Sequence, residues 1–171
     1  MKKTLLLLFS LLALAASAQI RIPGTKVEFS LPEGQWKYLQ TTKVDRNTNV
    51  YLYSYCAESV VDSKGDTVLP FIRIYVRKNY PHAAFDLAAD RWADQPFQSL
   101  DEWTEGLPSP DGIGYIGAHT GVQDQVEYLF RMVYFKEKST AVEFRLETTR
   151  DTYERFDPVF KEIIESIEIV K

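Results

Sequence analysis

Four runs of alternating polar and apolar residues, joined in pairs by short polar links, constrain this chain more than anything else in it. Val50 to Val61 and Thr67 to Lys78 flank Asp62-Ser63-Lys64-Gly65-Asp66. Gln125 to Phe135 and Thr140 to Thr148 flank Lys136-Glu137-Lys138-Ser139. A period of two sends successive side chains to opposite faces of a strand, and links this short join antiparallel neighbours. Two hairpins are therefore expected. Lys26 to Leu31 adds another strand, with Val27, Phe29 and Leu31 on one side and the turn residues Pro32-Glu33-Gly34 at its end.

Helical signals are fewer. Between His82 and Asp94, Phe85, Ala88, Ala89 and Trp92 recur at helical spacing, with Pro81 suited to the first turn and Pro96 beyond the end. From about Thr152 to Ser166, the residues Phe156, Phe160, Ile163, Ile164 and Ile167 form an apolar stripe. Pro158 predicts either a restart capped by Asp157 or a distorted first turn. Ser99 and Glu102 have capping-box spacing, which predicts a short helical piece. Gly106 to Gly117 holds two prolines and four glycines and reads as the longest loop. The order β-β-β-α-loop-β-β-α lacks βαβ alternation, so the fold class is α+β, an antiparallel β-sheet flanked by helices.

The first eighteen residues carry an address. Lys2 and Lys3 precede an apolar run from Leu5 to Ala16, broken only by Ser10, and Ala16-Ser17-Ala18 has the A-x-A form of a cleavage site. Residues 1–18 are thus expected to be a secretory signal peptide, leaving Gln19 at the new N-terminus and residues 19–171 as one domain. The run is short for a bilayer span and no stop-transfer segment follows, so the expected location is periplasmic or secreted, without membrane insertion after cleavage. Losing Lys2 and Lys3 leaves 18 basic against 24 acidic residues, taking the net charge from −4 to −6. An acidic balance argues against nucleic acid as a partner. Cys56 is the sole cysteine, so no intrachain disulfide is possible. It falls on the apolar side of an expected strand and reads as a small buried hydrophobe, the alternatives being a reactive thiol or a bridge between chains.

Two stretches carry a resemblance. Phe29-Ser30-Leu31-Pro32-Glu33-Gly34-Gln35-Trp36 resembles the strand, Pro, Gly, Trp opening of the PsbP/Mog1-like α/β/α sandwich superfamily, which includes exported bacterial members of unknown function. The ending is similar too: Val142-Glu143-Phe144-Arg145-Leu146 runs into Tyr153, Phe156, Pro158, Phe160, Ile163, Ile164 and Ser166-Ile167. The likeness covers most of the chain in element order and rests on structural motifs. It implies an α/β/α sandwich and a habit of acting as a non-catalytic accessory or binding subunit.

Motifs for chemistry are sparse. Gly112-Ile113-Gly114-Tyr115-Ile116-Gly117 matches G-x-G-x-x-G, but no strand precedes it and no helix opens at its end, so it reads as a glycine-rich turn. His82 and His119 are the only histidines, and neither sits in a zinc-ligand spacing. Asp62-Ser63-Lys64-Gly65-Asp66 lacks the alternating acids and terminal glutamate of a calcium loop. No G-x-S-x-G elbow is present. No metal or other cofactor is expected.

Aligning apolar sides groups Val50, Leu52, Ser54 and Cys56 with Ile72, Ile74 and Val76, with Tyr128, Phe130, Met132 and Tyr134, and with Val142, Phe144 and Leu146. The opposite face then gathers tyrosines and arginines, residue types that dominate recognition surfaces. Tyr53, Arg73, Tyr75, Arg131 and Arg145 are its candidate partner-binding residues, with Tyr115 and His119 as candidates on the glycine-rich loop. The expected function is an exported, non-catalytic binding or accessory module for an envelope or extracellular protein or glycan. The alternatives are an exported hydrolase with a site near His119 and a carrier of a small apolar ligand.

Overall fold

The computed structural model describes residues 17–94, 98–99, 104–109, 112–123 and 126–170. The elements run β1 (Ser17–Arg21), β2 (Val27–Pro32), β3 (Trp36–Lys43), β4 (Thr48–Tyr55), β5 (Val60–Val61), β6 (Thr67–Val68) and β7 (Phe71–Arg77). Helix α1 (Ala84–Asp94) follows, then β8 (Gln98–Ser99), β9 (Thr104–Ser109), β10 (Gly112–Gln123), β11 (Val126–Glu137) and β12 (Thr140–Thr149). A 3-10 turn over Arg150–Thr152 leads into α2 (Tyr153–Glu165) and β13 (Glu168–Ile169).

Among the described residues the main sheet has the order β3-β4-β7-β12-β11-β10-β8, with β9 also pairing β10, and all its pairings are antiparallel. A small sheet, β1-β2-β13, and a ribbon, β5-β6, complete the strands. One face of the main sheet buries Tyr53, Ile72, Ile74, Val133, Phe135, Val142, Phe144 and Leu146 against Phe29 of β2 and Phe156, Phe160 and Ile163 of α2. The other face packs Phe130, Met132, Tyr134 and Ala141 against Leu87 and Ala88 of α1. Helices on both sides of an antiparallel sheet make the α/β/α sandwich.

Each expected strand forms, and the physics is visible in the burial. In β2, Val27, Phe29 and Leu31 are buried and alternate with half-buried neighbours. Pro32-Glu33-Gly34 turns the chain, with Gln35 N donating to Pro32 O at 3.2 Å and Gly34 at φ +73°. The first hairpin is interrupted: β4 pairs β7, while β5 and β6 peel off as their own ribbon around Pro70 and residues 56–59. The second hairpin is tight, with Lys138 at φ +53° in the link. Helix α2 runs through Pro158 without restarting, so Asp157 does not cap it. Only the exposed first turn loses a backbone bond there.

Several expectations need correction. The glycine- and proline-rich stretch is a strand pair, β9 and β10, because the long β11 edge supplies partners for every residue from Tyr115 to Gln123. Pairing overrides the weak strand propensity of glycine, and Pro108 is tolerated on β9. Ser99 is not a helix cap but part of β8, paired with His119 of β10. Helix α1 is rotated from its expected stripe: Ala84, Leu87 and Ala88 are buried, while Phe85 is 58% exposed. Cys56 lies one residue past β4 and is exposed, since the chain leaves the sheet at Tyr55. β1 and β3 carry no clear alternation in the sequence, and both form strands.

Candidate functional site

Strand register decides which candidate residues meet. Tyr53 stands opposite Ile72, and Arg145 stands opposite both Arg73 and Met132. Arg131 stands opposite Leu146. Arg73, Tyr75 and Arg145 therefore share the α1 face, whereas Tyr53 and Arg131 belong to the α2 face. The expected single Tyr/Arg surface does not exist. A one-residue offset along β4 and β11 exchanges the two faces. β11 gave no guide, because Phe130 and Met132 are buried on one side and Val133 and Phe135 on the other.

The two separated residues serve packing. Tyr53 is buried, with its ring 5.8 Å from that of Phe29 and 5.5 Å from that of Tyr38. Burial, with Tyr38 nearby, raises its phenol above the ordinary value. Arg131 donates from Nε to Asp157 Oδ1 at 2.7 Å and so fastens α2 to the sheet.

Of the three that remain together, Arg73 and Arg145 line a cleft of about 310 Å³ on the α1 face, at the sheet end where β7 begins and β12 finishes, and Tyr75 lies outside its lining. Its floor is ionic. Glu147 is only 4% exposed, and it accepts from Arg73 through Oε1 and faces Arg145 Nε through Oε2 at 2.8 Å. The Arg145 guanidinium lies 4.2 Å from the Phe130 ring centroid, and that of Arg73 lies 5.4 Å from the Phe71 centroid. Both distances are within reach of a cation–π attraction. A buried carboxylate requires such partners, because desolvation would otherwise make its charge costly.

The β5–β6 ribbon forms one wall. Asp62 accepts from Lys64 N and Asp66 N, both at 2.9 Å, which shapes the turn at Gly65 (φ +87°). The wall is anchored through Ser63, whose backbone and hydroxyl both donate to Asp151. Those bonds, the hydroxyl's first, hold the Asp151 carboxyl below its ordinary range. Leu69 on the rim is 54% exposed.

Two guanidiniums converge on the one carboxylate of Glu147 at the floor, while Asp62 and Asp66 stand in the lining above it. The planar fork of arginine matches a second carboxylate, and Phe71, Tyr128 and Phe130 supply apolar walls beside it. An ionic floor under aromatic walls suits an acidic group on an otherwise apolar segment. It does not suit a purely apolar ligand. Sequence reasoning missed the aromatic lining, assigning Tyr128 and Phe130 to the other face, and missed the ribbon as a wall. Correct register would have found the first.

Tyr115 and His119 lie on β10 and not on a loop. His119 is fully buried, opposite Phe130 and Ser99, and does not line the cleft. A general base must come within hydrogen-bond reach of the proton it removes, and a histidine sealed within a sheet does not meet that demand as it stands. Among the described residues no group of three or more His, Cys, Asp or Glu is arranged to hold a metal ion. None of their helices is long and apolar enough to cross a membrane.

No family model matches the chain, and no curated protein matches it in sequence. Solved structures share its fold at low identity. LpqN of Mycobacterium tuberculosis, described as involved in cell envelope biogenesis, is 10% identical with a TM-score of 0.59 over 91% of each chain. PsbP of Synechocystis sp. PCC 6803 is 13% identical with a TM-score of 0.57, covering 93% of this chain and 95% of its own. The Saccharomyces cerevisiae Ran-binding protein Mog1p is 10% identical with a TM-score of 0.55, covering 92% and 97%. The chain is thus an α/β/α sandwich of the PsbP/Mog1-like fold.

Proposed function

We propose that this protein is an exported, non-catalytic binding module that recognises a protein partner through the Arg73–Arg145 cleft. The observation that carries this is the buried Glu147 held between two arginines at the floor of an aromatic-walled hollow. Such an arrangement pre-organises donors for a partner carboxylate, so little side-chain entropy is lost on binding. A peptide segment presenting Asp or Glu beside an apolar residue fits both the floor and the walls. Two proteins that share the fold lend support, one described as Ran-binding and one as acting in cell envelope biogenesis. Export rests on the leader signal of residues 1–18.

The test is capture from the envelope fraction of the cells that make the protein. The immobilised exported protein should retain a stoichiometric polypeptide, and Arg73→Ala should lose it. Protease treatment of the fraction beforehand should abolish capture. Capture that survives protease points to a glycan instead, and capture indifferent to Arg73→Ala removes the cleft from the account.

A further inference from the structure

The opposite end of the same sheet has a different character. There the β3–β4 link, the end of β7 and the segment leading to α1 enclose an open hollow of about 580 Å³. Arg46, Arg77 and Lys78 line it, in a chain whose net charge is −4. Among the described residues, none of these three cations makes an ion pair. The one acid in the lining, Asp45, accepts through Oδ1 from Asn47 N at 2.7 Å and Thr48 N at 2.9 Å, and those bonds, with a smaller contribution from the Arg77 charge, hold its carboxyl below the ordinary value.

The backbone fixes this cluster in place. Arg77 is in register with Thr48 on one side and Ala141 on the other. Lys78 N donates to Asn47 O at 2.9 Å, and Tyr80 N donates to Ser139 O at 2.9 Å. Asn79 takes the left-handed conformation, φ +57°, that turns the chain between those two anchors. Main-chain bonds thus place Arg46, Arg77 and Lys78 along one hollow, with the Lys78 ammonium on the side of Gly24. Three cations beside one carboxylate leave an excess of positive charge, and a bound anion relieves the repulsion within it.

We propose that this hollow is a binding site for a phosphate group. A single carboxylate would satisfy one guanidinium. A phosphate carries up to two charges and several acceptor oxygens, enough for the Arg46 and Arg77 guanidiniums together, with Lys78 adding its charge to the field. The site is separate from the Arg73–Arg145 cleft, so it stands or falls independently of the partner proposed there. Free phosphate, a soluble phosphate ester and a lipid headgroup all present the same chemistry.

Two arms separate these sources, both using the protein as purified from the cells that export it. Inorganic phosphate is titrated at low ionic strength and followed by calorimetry. Flotation then compares phosphatidylglycerol vesicles with phosphatidylcholine vesicles. The expected result is saturable binding in at least one arm, weakened about tenfold or more by Arg77→Ala and by the double change Arg46→Ala with Lys78→Ala. Arg150→Ala, at the other end of the sheet, should leave binding unchanged. Binding of inorganic phosphate identifies a soluble ligand, and binding of the anionic vesicles alone identifies a headgroup. Arg46 and Lys78 are exposed, so their replacement keeps the fold, which circular dichroism checks. No saturable binding in either arm, or binding equal in the variants and the unaltered protein, overturns the proposal.

Discussion

Arg131, on the central strand β11, reaches across to Asp157 of α2 and donates from Nε to Oδ1 at 2.7 Å. Both side chains are mostly buried, and Asp157 also takes Lys161 Nζ at 2.7 Å. The pair is a polar fastening beside the apolar contact that Phe156, Phe160 and Ile163 make with the sheet. Arg131→Ala should lower stability by roughly 2 kcal/mol, the range for a hydrogen bond to a charged group. Urea unfolding measures this, and an unchanged midpoint would deny the fastening.

The same carboxylate predicts a pH dependence. Burial pushes the Asp157 carboxyl up, but hydrogen bonds from Arg131, Lys161 and Tyr153 outweigh burial and hold it below its ordinary value. A depressed native value means the contribution is complete above the unfolded value, about 4, and disappears as pH falls through the native one. Melting temperature should therefore fall more steeply below about pH 4 in the unaltered protein than in Asp157→Asn. Parallel curves would contradict this.

Phe144 is fully buried, with ring centroids 5.3 Å from Phe29 of the small sheet and 6.1 Å from Phe135 of β11. It joins two layers. Phe144→Ala should cost about 3–5 kcal/mol through lost burial and the cavity left behind. A loss below about 1 kcal/mol would mean that the site collapses freely.

Cys56 is exposed just beyond β4. A thiol reagent should label the folded protein at a rate close to that of the unfolded chain. Labelling only after denaturation would return Cys56 to the buried role expected from strand alternation.

Cleavage after Ala18 would cut β1 at its second residue, removing the pairings of Ser17 with Pro32 and Ala18 with Leu31. Gln19, Ile20 and Arg21 would keep theirs, and Gln19 Nε2 still donates to Glu168 Oε1 at 2.9 Å. Terminal sequencing of the exported protein should begin at Gln19, with little change in stability. A terminus within residues 1–18 would remove the leader from the account.

The layers were legible in the sequence because two hairpins and the α2 stripe leave little choice of architecture. Faces were not. β11 is apolar on both sides, so Phe130 and Phe135 look alike until α1 and α2 are placed. β4 misleads differently: Tyr53 packs under Phe29, while Leu52, the more apolar residue, remains half-exposed. β10 was hidden by its glycines, since its strand character comes from the partner β11 and not from local propensity. Arg73 and Arg145 are legible because both lie on strands that alternate cleanly, and the same alternation puts Glu147 on their face without showing its role between them.

The most direct test of the central claim is photocrosslinking in the native envelope. A photoreactive residue replaces Leu69, on the cleft rim and 54% exposed, or Phe85, on the outside of α1 and 58% exposed. The account predicts a discrete polypeptide adduct at position 69 that disappears with Arg73→Ala, and no matching adduct at position 85. An adduct at position 85 alone, or one at position 69 that ignores Arg73, would contradict it.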